Sequence, residues 1–360
     1  MSRKAKTIGA IILAGFGYLL FWPVPIDPVS WKAPVNEGYV GDFTPNDILA
    51  DLERIDIGNH TGPEDLALGP DGQLYVPTHD GAILKFDPLT GQSEMFAETK
   101  GRVLGVAFGR DGILYAADAY EGLYAIDQSG AVTLLTNSVN DGSPIPYADG
   151  VDVTSEGQVY FSDASVKFSA KANGGTLPAS LLDLLEHGPN GRILKYDTKT
   201  GVTEKVLDGM SFANGVALTQ DEKHLLIVET GTYSIWKMPL ENPKAARQIL
   251  TNLPGFPDNI KRESDGTFWF GLVSPRSEPV DNLSESPFIR KIIQRLPSAI
   301  QPKPQRYGFL VRIDEDGNVL ETLQDPSGDY ALVTGALTGP DGKLYVSSLT
   351  EPDLAVLDRQ

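Results

Sequence analysis

The chain has 360 residues, 41% of them apolar, and a formal net charge of −18, with 37 glycines, 26 prolines and no cysteine. Such acidity argues against a nucleic-acid partner, which needs a basic face to meet phosphate. The lack of cysteine excludes disulfides, thiolate catalysis and cysteine-ligated metal, and leaves a turn-rich globular body with ample material for a core.

At the N-terminus Arg3, Lys4 and Lys6 precede an apolar run from Ile8 to Trp22, which Pro23 and Pro25 end. The run is short for a spanning helix, which needs roughly 20 residues. No small-x-small cleavage site follows it, because the exit reads FWPVPID. Residues 1–26 are expected to be an uncleaved signal-anchor, with the basic end in the cytoplasm and the body outside it, in the periplasm if the source is Gram-negative. A cleaved signal peptide is the alternative. Residues 27–50 read as a linker.

Beyond residue 50 the dominant signal is self-similarity. The stretch GPEDLALGPDGQLYVPTHDGAILKFD (62–87) recurs as RVLGVAFGRDGILYAADAYEGLYAID (102–127). Further copies open at YADGVDV (147–153), FANGVALT (212–219), FPDNIKRESDGTFWFGL (256–272) and ALVTGALTGPDGKLYV (331–346). Each reads as an inner strand, an Asp-Gly-type turn whose residues tolerate positive φ, a second strand rich in Tyr, Val or Phe, a polar loop and a third strand. A fourth strand follows, as at 91–96 and 203–207. Six four-stranded units of roughly 40 to 60 residues predict an all-β fold, a six-bladed β-propeller over 51–360. The sixth copy stops after its third strand, so DLERIDIG at 51–58 is expected to supply the fourth and close the ring.

Counting back seven residues from each turn acid gives Glu64, Leu104, Asp149, Asn214, Asp258 and Thr334 in blades one to six. Inner strands line the channel of a propeller, so these side chains are expected to converge on its axis. Three carboxylates gathered there repel and raise one another's pKa unless a cation sits between them. Hard oxygens with no His or Cys in the ring suit one divalent cation, calcium above others. The alternative is that each polar residue only caps the start of its own strand.

The segments GPEDLALGPDGQLY, YADGVDV, FANGVALT, LIVETGTYSIWK and LPGFPDNIKRESDGTFWFGLVSPR resemble the strictosidine synthase-like branch of six-bladed propellers, which includes the adipocyte plasma-membrane-associated proteins. The resemblance covers residues 50–358. It extends more distantly to the senescence-marker/gluconolactonase proteins, the paraoxonases and diisopropylfluorophosphatase, which hold a catalytic calcium or similar ion in the channel. Carried over residue by residue, it implies Glu64, Asp149, Asn214 and Asp258 as the metal ligands, Asp149 replacing a common Asn. It also implies that Asp258 doubles as proton acceptor or nucleophile. Strictosidine synthase itself uses a catalytic Glu in its sixth blade; here that place is Gly335, which disfavours its condensation chemistry.

The loops joining second to third strands return to the metal face. They carry His79, read either as a general base or as a polar turn facing solvent, and the mouth residues Asp118, Tyr120, Asp163, Ser165, Glu229 and Arg276, to which Asn259 beside Asp258 is added. Two of these loops are long. The insertion 166–190 contains TLPASLLDLLEHG, a helix opened by Pro178 and stopped by Gly188. The insertion 277–306 contains PFIRKIIQRLP, which puts Phe288, Ile289, Ile292, Ile293 and Leu296 on one helical face. Both are expected to lie over the mouth as lids, and an apolar roof favours hydrophobic esters or lactones over free sugars. The expected function is a membrane-anchored, metal-dependent hydrolase of lactonase or arylesterase type. The alternatives are a strictosidine-type bond-forming enzyme and a non-catalytic binding propeller.

Overall fold

In the computed structural model, residues 3–359 are described; the first two residues of the expected anchor and the last of the expected propeller lie outside that range. Six four-stranded antiparallel sheets follow one another around a ring, each built in simple up-and-down order. The turn chemistry explains why the sequence folds this way. In five blades the turn acid accepts the backbone N–H two residues on, at 3.0 to 3.3 Å from Asp71, Asp111, Asp221, Asp265 and Asp341. The next residue has positive φ, as at Gly72 and Gly342, where a side chain is strained. Blade four has Glu222 in that conformation instead of glycine. In blades one, two and six a tyrosine four residues on donates back to the same acid, as Tyr115 does to Asp111 at 2.9 Å, which accounts for the recurring DGxLY.

The closing strand forms as expected. Glu53–Asp56 pairs antiparallel with Asp353–Leu357, Ile55 opposite Leu354, so the first and last strands of the propeller share one sheet. Apolar clusters fill the gaps between neighbouring blades. Tyr75 of blade one meets Phe108 of blade two edge-on at 4.7 Å, and Phe86 meets Tyr345 of blade six at 5.7 Å.

Among the described residues four α-helices accompany the sheets: α1 (Arg3–Phe21), α2 (Thr176–Glu186), α3 (Glu278–Asn282) and α4 (Pro287–Arg295). Helix α2 starts at Thr176, so Pro178 lies in its first turn, where a missing N–H costs nothing. It ends at Glu186, two residues before the expected Gly188, with His187 taking the left-handed cap at φ 53°. The segment read as a linker is packed down as a strap. Trp31, Tyr39 and Phe43 lie against the core between blades four and five, and Leu49 is buried beside blade six.

Candidate functional site

Five inner strands carry a β-bulge at the residue that the seven-residue offset selects. The register slips across Leu104, across Asp149 and Gly150, across Asn214 and Gly215, across Asp258 and Asn259, and across Thr334. A bulge leaves a residue outside the ladder and re-aims its side chain. Glycine follows four of these positions, and at three of them, Gly105, Gly150 and Gly215, adjacent inner strands touch. A Cβ on Gly105 would meet the Asp149 carbonyl oxygen at 2.4 Å, and one on Gly215 the Ile260 nitrogen at 2.6 Å. The bulge and the bare glycine together bring the ring to a narrow axis.

Glu64, Leu104, Asp149, Asn214 and Asp258 form the floor of one cavity, about 1160 Å³ with its open mouth included. All five are buried. The sixth position, Thr334, faces elsewhere. Its hydroxyl donates to the backbone carbonyl of Glu64 at 2.7 Å, and the Asn259 amide donates to the same oxygen at 2.9 Å. Blades five and six thereby fix the backbone of the blade-one ring residue Glu64, and Asn259 holds that backbone rather than lining the cavity.

The electrostatics of the floor are those of crowded negative charge. Burial first, then the charges of Asp258 and Glu64, push the Asp149 carboxyl well above its usual range. Burial and the charge of Glu64 do the same to Asp258, while the Asn214 side chain favours its ionised form. Burial raises Glu64 to about 7 against the pull of Arg102. Arg102 had no part in the sequence reading. Its guanidinium is fully buried, pairs with Glu64 and donates to the Gly62 carbonyl at 3.3 Å. A lone arginine two residues before the blade-two ring position was its only signal.

Among the described residues no three His, Cys, Asp or Glu side chains are gathered into a ready-made metal cage; Glu64 is turned to Arg102, and one expected donor is a carboxamide. The donor set nonetheless fits a hard divalent cation. The buried Asn214 Oδ1 has no hydrogen-bond partner, which is costly without a ligand, and Asp149 and Asp258 have carboxylate neighbours where a counter-charge is needed.

The expected mouth residues are placed otherwise: none of the seven lines the cavity. Asp118, Asp163 and Glu229 end the second strands of blades two, three and four, and each accepts the backbone N–H at the start of its own blade's inner strand. The donors are Arg102 (3.1 Å), Tyr147 (3.1 Å) and Ser211 (2.7 Å). These acids aim the ring residues and do not line the cavity. Asp163 also pairs with Arg192 at 2.8 Å. Ser165 donates to Asp183 of α2 at 2.5 Å, and Tyr120 packs in the apolar cluster below that helix. Arg276 is a structural tie: it reaches Asp281 (2.9 Å), Asn252 (2.6 Å) and the Pro34 carbonyl of the strap (2.6 Å). His79 is exposed and outside the cavity lining, its backbone N–H held by the Thr61 carbonyl at 2.8 Å.

The lids do roof the cavity. Helix α2 contributes Leu177, Leu181, Leu184 and Leu185, and the second insertion contributes Val280, Ile293, Gln294 and residues 301–304. Tyr147, on the cavity wall, donates to the Thr176 carbonyl at 2.9 Å and ties α2 to the floor. The face of α4 differs from that expected. Phe288 and Ile289 point to solvent, 52% and 40% exposed, while Arg290 and Arg295 are buried.

Comparison with known proteins matches residues 149–243 to the strictosidine synthase family and residues 41–86 to the strictosidine synthase-like N-terminal family. The chain is 32% identical to a strictosidine synthase-like protein of Arabidopsis thaliana, covering 87% of this chain and 89% of that one. It is 30% identical to the adipocyte plasma membrane-associated protein of Rattus norvegicus, covering 96% of each. Among solved structures, a gluconolactonase of Xanthomonas campestris superposes with a TM-score of 0.62 at 15% identity, covering 92% of this chain and 96% of that one. A calcium-binding regucalcin of Agrobacterium tumefaciens gives 0.59 at 16% identity, over 85% and 93%. At these identities the structural likeness is one of fold.

Proposed function

Because the chain belongs to the strictosidine synthase-like family that includes the adipocyte plasma membrane-associated proteins, we propose that it is a divalent-cation-dependent hydrolase of hydrophobic esters or lactones, anchored to a membrane by α1. The observation that carries the reading is the floor of the cavity: three buried carboxylates and an unpartnered carboxamide oxygen under an apolar roof. Glu64, Asp149, Asn214 and Asp258 would hold the cation, calcium for preference, which supplies Lewis-acid polarisation of a carbonyl oxygen when bound.

The residues of the chain do the rest. The leucines of α2 receive the acyl portion and exclude water from the floor. Asn214 orients the Asp258 carboxylate. Asp258 accepts the proton of the attacking water as its oxygen adds to the carbonyl carbon; the acyl–oxygen bond breaks and the proton passes to the leaving alkoxide. Arg102 holds Glu64 in place and keeps positive charge beside the cluster. Strictosidine-type condensation is the second reading, supported by the family; Gly335 leaves the sixth blade without the carboxylate it needs.

Helix α1 is the one described helix long and apolar enough to cross a membrane, and the reading places its basic end in the cytoplasm and the propeller on the other side. A panel of aryl esters and lactones of graded acyl length, assayed with calcium and with chelator, tests the activity. Turnover is expected to vanish on chelation and to fall by orders of magnitude in Asp258→Asn, which keeps an oxygen donor and nearly the same shape. Full activity in Asp258→Asn, or turnover indifferent to chelator, overturns the assignment.

A further inference from the structure

Helix α4 is a clamp between three elements. Arg290 donates to the Leu185 (3.0 Å) and Glu186 carbonyls at the C-terminal end of α2, and to those of Val29 and Ser284. Arg295 donates to the Leu19 and Trp22 carbonyls at the C-terminal end of α1, at 2.9 and 2.6 Å. A cation at a helix C-terminus satisfies orphan carbonyls and opposes the negative end of the dipole. One short helix therefore joins the membrane-length helix to the lid. Ile293 and Gln294, which line the cavity, precede Arg295 directly, so the membrane exit of α1 and the roof of the site lie within about one helical turn along α4.

The outer surface of this assembly is apolar and continuous with α1. Phe21 and Trp22 are 78% and 60% exposed, Phe288 and Ile289 follow on α4, and Ile300 is 64% exposed just before the cavity-lining residues 301–304. In a chain of net charge −18, residues 287–306 contain Arg290, Lys291, Arg295, Lys303 and Arg306 and no acid. Lys291 pairs with Asp27 at 2.7 Å and Arg306 with Glu351 at 2.6 Å, while Arg290 and Arg295 are buried on backbone carbonyls, so the outward surface of α4 offers apolar side chains rather than free cationic charge. An exposed apolar face beside a membrane-length helix is suited to the headgroup–acyl boundary of a bilayer.

We propose that the Phe288–Ile289–Ile300 face docks on the same bilayer that α1 crosses, so that the cavity mouth opens at the lipid surface and takes membrane-dissolved acyl esters or lactones. The docking stands on the clamp and the exposed face; only the substrate half rests on the hydrolase reading.

The cysteine-free chain permits a direct test by single labelling. Full-length protein is reconstituted through α1 in vesicles containing phosphatidylserine, with an environment-sensitive fluorophore on Phe288→Cys, Ile300→Cys or Leu89→Cys. Leu89 is 77% exposed in the turn between the third and fourth strands of blade one, on the face opposite the mouth. Interfacial helices bury roughly 5–10 Å into the headgroup–acyl boundary. Probes at 288 and 300 should therefore shift to the blue and be quenched by shallow nitroxide lipid, while the probe at 89 does not respond. If 288 and 300 behave like 89 with α1 inserted, the docking is overturned. For the substrate half, Phe288→Ser/Ile289→Ser should lower hydrolysis of a vesicle-dissolved long-chain ester several-fold and leave a soluble short-chain ester unaffected; equal loss on both overturns it. Quenching without turnover of either ester refutes the hydrolase reading and leaves the docking standing.

Discussion

Arg102 decides how the cluster of carboxylates is held. Its fully buried guanidinium meets Glu64 and the Gly62 carbonyl, and among the described residues no other cation pairs with a ring carboxylate. Removing one partner of a buried pair leaves an uncompensated charge, at a cost of about 3–5 kcal/mol. Arg102→Met is expected to lower the unfolding free energy measured by urea denaturation by that order in the presence of chelator. Arg102→Lys restores the charge without the planar fork, so it should recover part of the stability while Glu64 loses its orientation. An Arg102→Met protein as stable as wild type would mean that Glu64 is held neutral. The ring positions were legible from an offset of seven residues; Arg102 was not, because a long side chain acts several ångströms from its own Cα and across to another blade. The same reach misled the reading of Asp118, Asp163 and Glu229. Their sequence places them at the mouth, but short hydrogen bonds to their own blades' backbones turn them away from it.

At the scale of elements, α2 is held by a polar group that titrates. Asp183 lies on its buried side and accepts from Ser165 at 2.5 Å and Asn190 at 2.9 Å. Glu186 and Lys167 are the nearest charges. Burial pushes its pKa up to about 7, whereas the unfolded carboxyl ionises near 4. Between these values the folded state holds a proton that the unfolded state has lost, so stability is full below about pH 4 and falls as pH rises toward 7, by about 1.4 kcal/mol per pH unit at most for this group. Thermal melting should therefore decline from pH 5 to 7.5, and Asp183→Asn, which resembles the protonated form, should flatten that decline. An unchanged slope in Asp183→Asn would assign the dependence to other carboxylates. Helix α4 carries the opposite lesson. Its apolar periodicity was legible, but which face is buried was not, since arginines that cap two neighbouring helices lie inside and the phenylalanine lies outside.

For the whole molecule, the ring is closed by pairing Glu53–Asp56 with the last blade, while the inner strands crowd negative charge on one axis. A cation bound only by the native state adds stability as its concentration exceeds Kd, about 4 kcal/mol at a thousandfold excess. Chelation is expected to lower the melting temperature, and calcium to restore it; no response to either would remove the cation from the proposal. The number of blades, their turns and the closing strand were determined by sequence alone, because Asp-Gly turn chemistry and period-two strands are local properties repeated six times. The convergence of Glu64, Asp149, Asn214 and Asp258 was foreshadowed by a fixed offset, since a repeat carries each equivalent residue to an equivalent place. The pairing of Arg102 with Glu64, the duties of the strand-end acids and the welding of α1 to the lid through Arg295 were decided only by the tertiary structure. Those contacts join residues 16 to 276 positions apart, and no local pattern encodes which side chain will meet which distant backbone group.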